Sequence, residues 1–235
     1  MLLSSRRMSV RISDPDHGLW LNFSPKPSDS VHHFCGPNDI EGASCPYCRK
    51  PLIRVLSLAA TDSRLNLDPS KTAKVHLLYC WTCSIPYGVF SYRILNNGSI
   101  ELLQIPPTWE SAIGPDGPYD GYTGHYPQKL VALRQLEIAE HQRQLAAQSD
   151  IDLALELMPQ KHQVGGFPII ANPQEITCPI CSQESPLLAV ICDDVSGNQP
   201  GEIPAQDSFT DNMGTQMVFH YCRDCSVVSA YHSND

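Results

Sequence analysis

The chain has 235 residues, 42% of them apolar, with 25 acidic against 16 basic side chains for a net charge of −9, and ten cysteines. That is enough apolar material for one large globular domain or two modest ones. The opening "MLLSSRRMSVRISDPDHGLW" has too short an apolar run for a secretory leader, and no stretch of about 18 apolar residues is present to span a membrane, so a cytoplasmic protein with reduced thiols is expected rather than a disulfide-stapled secreted one.

Residues 1–30 form an N-terminal segment whose Arg6, Arg7 and Arg11 make the one basic patch worth naming, best read as a solvated tail. The first unit, 31–105, carries "CPYCRKPL" at 45–52 and "YCWTC" at 79–83. "PLIRVLSLAA" after the first cysteine pair and "KVHLLYC" before the second read as strands. "VFSYRILNNGSIELLQI" (89–105) is two alternating runs around Asn97-Gly98, a hairpin signal. A linker, 106–160, begins with a Pro-, Gly- and Tyr-rich loop in which Tyr119, Tyr122 and Tyr126 are interleaved with Asp116 and Asp120. Those residues offer rigid amphipathic contact area beside negative charge, a candidate partner-binding loop, although a surface loop with no binding role reads equally well. "PQKLVALRQLEIAEHQRQLAAQ" (127–148) reads as a helix with Leu130, Leu133, Leu136 and Leu145 as a partial apolar stripe. Ser149 to Asp152 reads as the capping box of a second short helix, "IDLALELM", stopped near Pro159. The second unit, 161–235, repeats the cysteine pattern with "CPIC" at 178–181 and "YCRDC" at 221–225.

Two residues between cysteines let a tight knuckle aim both sulfurs at one point, which tetrahedral zinc requires and a disulfide does not. A single CxxC could equally be a redox pair or two core cysteines. Four in matched order point instead to two structural zinc ions, one on Cys45, Cys48, Cys80 and Cys83 and one on Cys178, Cys181, Cys222 and Cys225, with loss of metal from one unit as the competing reading. Between the pairs lie 31 residues in the first unit and 40 in the second, room for a strand, a loop and a returning strand. Four thiolates close the coordination shell, so a catalytic zinc is disfavoured.

The likeness extends beyond cysteine. "HHFCGPNDIEGASCPYC" aligns with "GGFPIIANPQEITCPIC" without a gap, placing Phe34 with Phe167 and setting His32 and His33 against Gly165 and Gly166; Tyr79 and Tyr221 each precede the closing knuckle. On that alignment Cys35 replaces a proline, and the role of the paired glycines is not repeated in the first unit.

"VGGFP", "CPIC", "PLLAVICDD" and "MVFHYCRDC" together resemble the YwqG-like family, and "CPYCRKPLIRVLSLAA", "KVHLLYCWTC" and "VFSYRI" are similar to the cysteine-bearing modules of programmed-cell-death-protein-2-like proteins. The resemblance covers roughly residues 30–105 and 160–232. It implies a duplicated α+β fold of mixed sheets, no known enzymatic activity, and roles in gripping other proteins. Relatives of the second kind act as chaperones for a basic ribosomal protein, and YwqG-like proteins occur in bacterial toxin-immunity sets.

Charge bears on the partner. Filling two four-thiolate sites with zinc adds about −4 and brings the net charge to about −13. Phosphate binding needs clustered cations, and 16 basic residues are scattered over the chain, so nucleic acid is an unfavoured partner. An acidic surface suits a basic protein partner, with solubility alone as the plain alternative. No catalytic constellation stands out: the nine histidines lack an HExxH or nucleophile-elbow context. Asp193 and Asp194 are adjacent on a strand and face opposite ways. Cys192 in "LLAVIC" reads as core, and Cys35 is left over. The expectation is an α+β protein of two tandem zinc-ribbon-containing mixed β-sheet units joined by a helical linker. It is expected to be non-enzymatic and to bind a basic protein, most concretely as an immunity protein against a nuclease-type toxin. A chaperone for a basic client and a zinc-ribbon nucleic-acid adaptor are the alternatives.

Overall fold

The computed structural model describes residues 18–23, 26, 31–46, 49–80, 88–105, 127–157, 162–192 and 216–233. Eleven strands make one sheet: β1 (Leu19–Asn22), β2 (His32–Phe34), β3 (Ile53–Ala59), β4 (Lys74–Tyr79), β5 (Phe90–Ile94), β6 (Ile100–Gln104), β7 (Lys129–Gln135), β8 (Gln163–Val164), β9 (Leu187–Cys192), β10 (Gln216–Cys222) and β11 (Val227–Ser233). Two helices, α1 (Ile138–Ala147) and α2 (Ile151–Glu156), lie between β7 and β8. The sheet order is β4-β3-β2-β7-β1-β8-β9-β10-β11-β5-β6. Every strand pairing among the described residues is antiparallel, so the sheet is not of the mixed kind expected.

The apolar runs expected as strands form β3, β4, β9 and β10, and the Asn97-Gly98 hairpin joins β5 to β6. In its turn Asn97 Oδ1 accepts from the Ser99 amide at 3.1 Å and from the Ser99 hydroxyl at 2.7 Å. Strand β10 is buried along its whole length because both its faces are covered. Met217, Phe219 and Tyr221 enter the main core, while Val218 packs on the other side with Val190, Cys192 and Tyr231. Segment 169–176 lies over that second side. It is tied down by Gln216 Nε2 donating to the Ile169 carbonyl at 2.8 Å and by the Ser233 and Tyr231 hydroxyls accepting from the Asn172 and Gln174 amides.

The helix expected over 127–148 is half strand. Lys129–Gln135 is β7, which pairs with β2 through Lys129 to Val131 and with β1 through Ala132 to Gln135. It joins the two halves of the sheet, and helix begins only at Ile138. Strands β1 and β2 are four and three residues long, and without β7 their inner backbone groups would have no partner. Completing them outweighs a helical preference of a few tenths of a kcal/mol per residue. The second helix is capped by Asp150, not Ser149: the Asp150 carboxylate accepts from the Asp152 and Leu153 amides at 3.1 and 3.2 Å. Pro159 lies outside the described residues.

The main core draws on both cysteine-bearing halves, from Phe34 and Leu56 to Phe219 and Ala230. Hairpin β5–β6, from the first half, adds to β11 of the second. The sheet also curls so that its end strand β4 approaches β5 and β11. Tyr92 on β5 accepts a hydrogen bond from the Leu78 amide of β4 at 2.8 Å and donates to the His76 carbonyl at 2.7 Å. One hydroxyl thus satisfies two backbone groups on the open edge of β4.

Candidate metal centre

The second unit brings its four cysteines together. Cys178 and Cys181 sit on a knuckle before β9, and Cys222 and Cys225 on the turn between β10 and β11. Their sulfurs all lie within 4.8 Å of one another. Local backbone bonds build the first knuckle: the Cys178 amide donates to the Gln183 carbonyl at 2.8 Å, and the Ser182 amide donates to the Cys178 carbonyl at 2.9 Å. Ser182 and Ser226 both take positive φ, +57°, just after their cysteine pairs. That left-handed step turns the chain back and aims both sulfurs inward.

The spacing fits zinc. Four sulfurs at about 2.3 Å from a tetrahedral ion lie about 3.8 Å apart, and Cys181 Sγ is 3.7 Å from Cys222 Sγ. A disulfide would need about 2.05 Å, and Cys178, Cys181, Cys222 and Cys225 are free thiols. Burial pushes the Cys222 and Cys225 thiols upward, whereas a backbone hydrogen bond from Gln183 holds Cys181 down. Four sulfurs this close become thiolates together only with a cation between them, so metal uptake and proton release are one event. Val227 packs on the cluster and Leu103 of β6 covers it. Lys71, from the first half, donates through Nζ to the Arg223 and Asp224 carbonyls at 3.1 and 3.2 Å and braces the second knuckle. Beside it lies a cleft of about 540 Å³ lined by Lys71, Arg93, Asn97, Asp224 and Cys225. The Lys71 brace and the Leu103 cover left no mark in the sequence, because their partners are far away in the chain, Arg223 and Asp224 for Lys71 and Cys178 and Cys222 for Leu103.

In the first unit Cys45 and Cys80 are buried, while Cys48 and Cys83 lie outside the described residues. The knuckle at Cys45 nevertheless reproduces the one at Cys178 bond for bond. Its amide donates to the Lys50 carbonyl at 2.8 Å, its carbonyl accepts from the Arg49 amide at 3.0 Å, and Arg49 takes positive φ, +61°. Isolated bridges Ser44 to Pro51 and Thr177 to Glu184 close the two loops alike.

Upstream of the knuckles the ungapped alignment is wrong by three residues. His33 pairs with Ser57 and Phe34 with Leu56, as Gln163 pairs with Val190 and Val164 with Ala189. The Cys35 amide donates to the Val55 carbonyl as the Gly165 amide does to Leu188. Cys35 and Gly36 therefore match Gly165 and Gly166, and all four have positive φ, +53°, +105°, +64° and +70°. The glycine turn is present in both units, with Cys35 standing in place of one glycine. The same register matches His32 to His162. Each is fully buried and accepts through Nδ1 from a strand-end amide, Ala59 and Cys192 respectively, at 3.1 Å. Their other nitrogens differ: His32 Nε2 meets Asp62 at 3.0 Å, whereas His162 Nε2 has no polar partner among the described residues and its ring sits against Phe23 and Phe34. Burial on its own would raise Asp62, but hydrogen bonds from Arg64 and His32 outweigh it and hold the carboxyl at about 2.

Cys192 is core, as expected, and burial holds the Cys35 thiol protonated. Asp116, Tyr119, Asp120, Tyr122 and Tyr126 of the candidate binding loop lie outside the described residues, as do Asp193 and Asp194.

No protein-family model, no curated protein and no solved structure matches the chain. Fold and site still define a class: a largely antiparallel-sheet protein with few helices, a repeated cysteine knuckle, and a four-cysteine cluster compatible with one metal ion. No helix among the described residues is long and apolar enough to cross a membrane.

Proposed function

We propose that this chain is a zinc-stabilised, non-enzymatic binding protein whose acidic surface engages a basic protein. Its most concrete form is a cytoplasmic immunity protein that masks a nuclease-type toxin. What carries the reading is the excess of 25 carboxylates over 16 cations on a chain whose described candidate metal site is a set of four cysteines, which as thiolates would close the shell of one ion. Such a cluster has no open position for water or substrate, so its zinc clamps a turn. A nuclease must attract phosphates, and an acidic protein exploits that same field to find the nuclease and cover it. The resemblance to YwqG-like and programmed-cell-death-protein-2-like proteins points the same way. A second zinc on Cys45, Cys48, Cys80 and Cys83 belongs to the proposal and draws support from the matching knuckle at Cys45.

The test is affinity capture with zinc retained, from the native cell, read by mass spectrometry at low and then moderate salt. One stoichiometric basic protein that is lost as salt rises supports the reading, and its identity separates a toxin from a nascent client. Retention of nucleic acid instead, weakening steeply with salt, would replace it with the nucleic-acid adaptor.

A further inference from the structure

Helices α1 and α2 are turned the wrong way round for a surface hairpin. On α1 the buried residues are Gln144 and Ala147, while Ile138 and Leu145, seven residues apart and so on one stripe, are 78% and 40% exposed. On α2 no residue is buried, and Ile151 and Leu155, four apart, are 71% and 62% exposed. Those four make half of the eight large hydrophobics exposed among the described residues, which concentrates them on this hairpin. The orientation is imposed by polar bonds on the inner side. Gln144 and Gln163 exchange amide hydrogen bonds of 2.7 and 3.2 Å, and Trp20 Nε1 donates to Glu140 at 3.1 Å. A six-residue helix with only Leu153 and Ala154 half-buried is marginal alone; here Asp150 caps it and Glu156 is tied to Arg143 at 2.7 Å. An outward aliphatic stripe on both helices is a surface held ready for a partner.

Charge identifies the partner's chemistry. Around the stripes stand Glu137, Asp150, Asp152 and Glu156 against Arg134 and Arg143, and both arginines are paired, with Glu137 and Glu156, which leaves the two aspartates in excess. An apolar stripe rimmed by excess carboxylate is complementary to a helix with aliphatic residues on one side and lysine or arginine flanking them. We infer that the outward face of α1 and α2, through Ile138, Leu145, Ile151 and Leu155, docks a cationic amphipathic helix of the basic partner. This inference rests on the reading of a basic partner given above.

The experiment uses the full zinc-loaded chain and three labelled synthetic peptides, read by fluorescence anisotropy. One has leucines at helical spacing with lysines elsewhere, the second replaces the lysines with glutamates, and the third keeps the lysine peptide's composition in scrambled order. The expected result is binding of the leucine-lysine peptide, at least tenfold weaker binding of the other two, and a tenfold or greater loss in the double variant Ile151→Ser, Leu155→Ser. Those side chains are exposed, so the variant keeps its thermal midpoint, which a melt verifies. Equal affinity in the variant, or equal affinity for the glutamate peptide, overturns the inference. So does a dimer seen by sedimentation velocity that dissociates in the variant, since the face would then belong to a second copy of this chain. If affinity capture yields a salt-sensitive basic protein that the double variant retains equally well, the docking surface is wrong and the basic-partner reading stands. If capture yields no basic protein, that reading fails on its own.

Discussion

Replacing Tyr92 with phenylalanine removes one oxygen atom and leaves the ring in place. That oxygen serves two backbone groups of β4, the Leu78 amide at 2.8 Å and the His76 carbonyl at 2.7 Å. Strand β4 ends the sheet order, so the described sheet supplies no neighbouring strand to take over. Leu78 and Tyr92 are both fully buried, and a buried backbone group left unsatisfied costs about 1–3 kcal/mol. The Leu78 amide loses its partner in a dry site and the His76 carbonyl in a partly wet one, so about 2–4 kcal/mol is expected in total. With an m-value of about 2–3 kcal/mol/M the urea midpoint falls by about 1 M while the slope stays the same. Native-state hydrogen exchange should show the Leu78 amide losing protection ahead of the β10 amides. A loss under about 0.5 kcal/mol with Leu78 protection unchanged would refute the claim that this hydroxyl closes the edge.

Gly42→Ala and Gly98→Ala form a matched pair. Their φ values are +83° and +84°, but a Cβ on Gly42 would stand 2.2 Å from the Ile100 carbonyl oxygen and one on Gly98 meets nothing within 4 Å. In thermal melts the first should cost about 2–4 kcal/mol and the second about 1. Substituting Cys178 and Cys181 with serine should remove one zinc per chain by elemental analysis and at least about 5 kcal/mol of stability, roughly 10–20 °C in Tm for a chain of this size; an unchanged melt would show that the cluster is not a clamp. Burial pushes the His162 imidazole down to about 3, below its unfolded value of about 6.5. The unfolded chain therefore takes up the proton first, and stability present above pH 6.5 is lost toward pH 3 at about 1.4 kcal/mol per pH unit. The His162→Asn variant should lack that slope in urea titrations between pH 6.5 and 5, and identical slopes would refute the assignment.

What was legible in the sequence was local. Strands β3, β4, β9 and β10 announce themselves as apolar runs beside cysteine pairs, and Asn97-Gly98 marks its own turn, because each signal and its cause lie within a few residues. The cluster at Cys178, Cys181, Cys222 and Cys225 was legible for a related reason: CxxC spacing encodes a knuckle, whatever the length of chain between the two pairs. β7 was not legible. Leu130, Leu133 and Leu136 keep helical spacing, yet Leu130 ends 47% exposed and Leu133 buried, since the segment is needed as the strand between β1 and β2. The repeat was seen but displaced upstream of the knuckles, because matching Phe34 to Phe167 outweighed the positive-φ turn that Cys35-Gly36 shares with Gly165-Gly166. The Tyr92, Lys71 and His32 contacts depend on how the sheet curls, which no short window of sequence expresses.

Hairpin β5–β6 bears on how the protein is made. Ser91 of β5 bonds Ser229 of β11, 138 residues later, and Tyr79 bonds His232, 153 residues later. During synthesis the first half therefore leaves the ribosome with its hairpin lacking a strand to join, and β1 waits for β8. Pairings this distant in sequence form slowly and leave strand edges open in the meantime. β11, the last of the described strands, stands between β10 and β5, so a ribosome stalled before it would release a chain that has all four cysteines of the cluster but leaves two strand edges exposed. Folding is thus committed only once β11 is made, and a truncation that removes this one strand should be far more damaging than its length suggests.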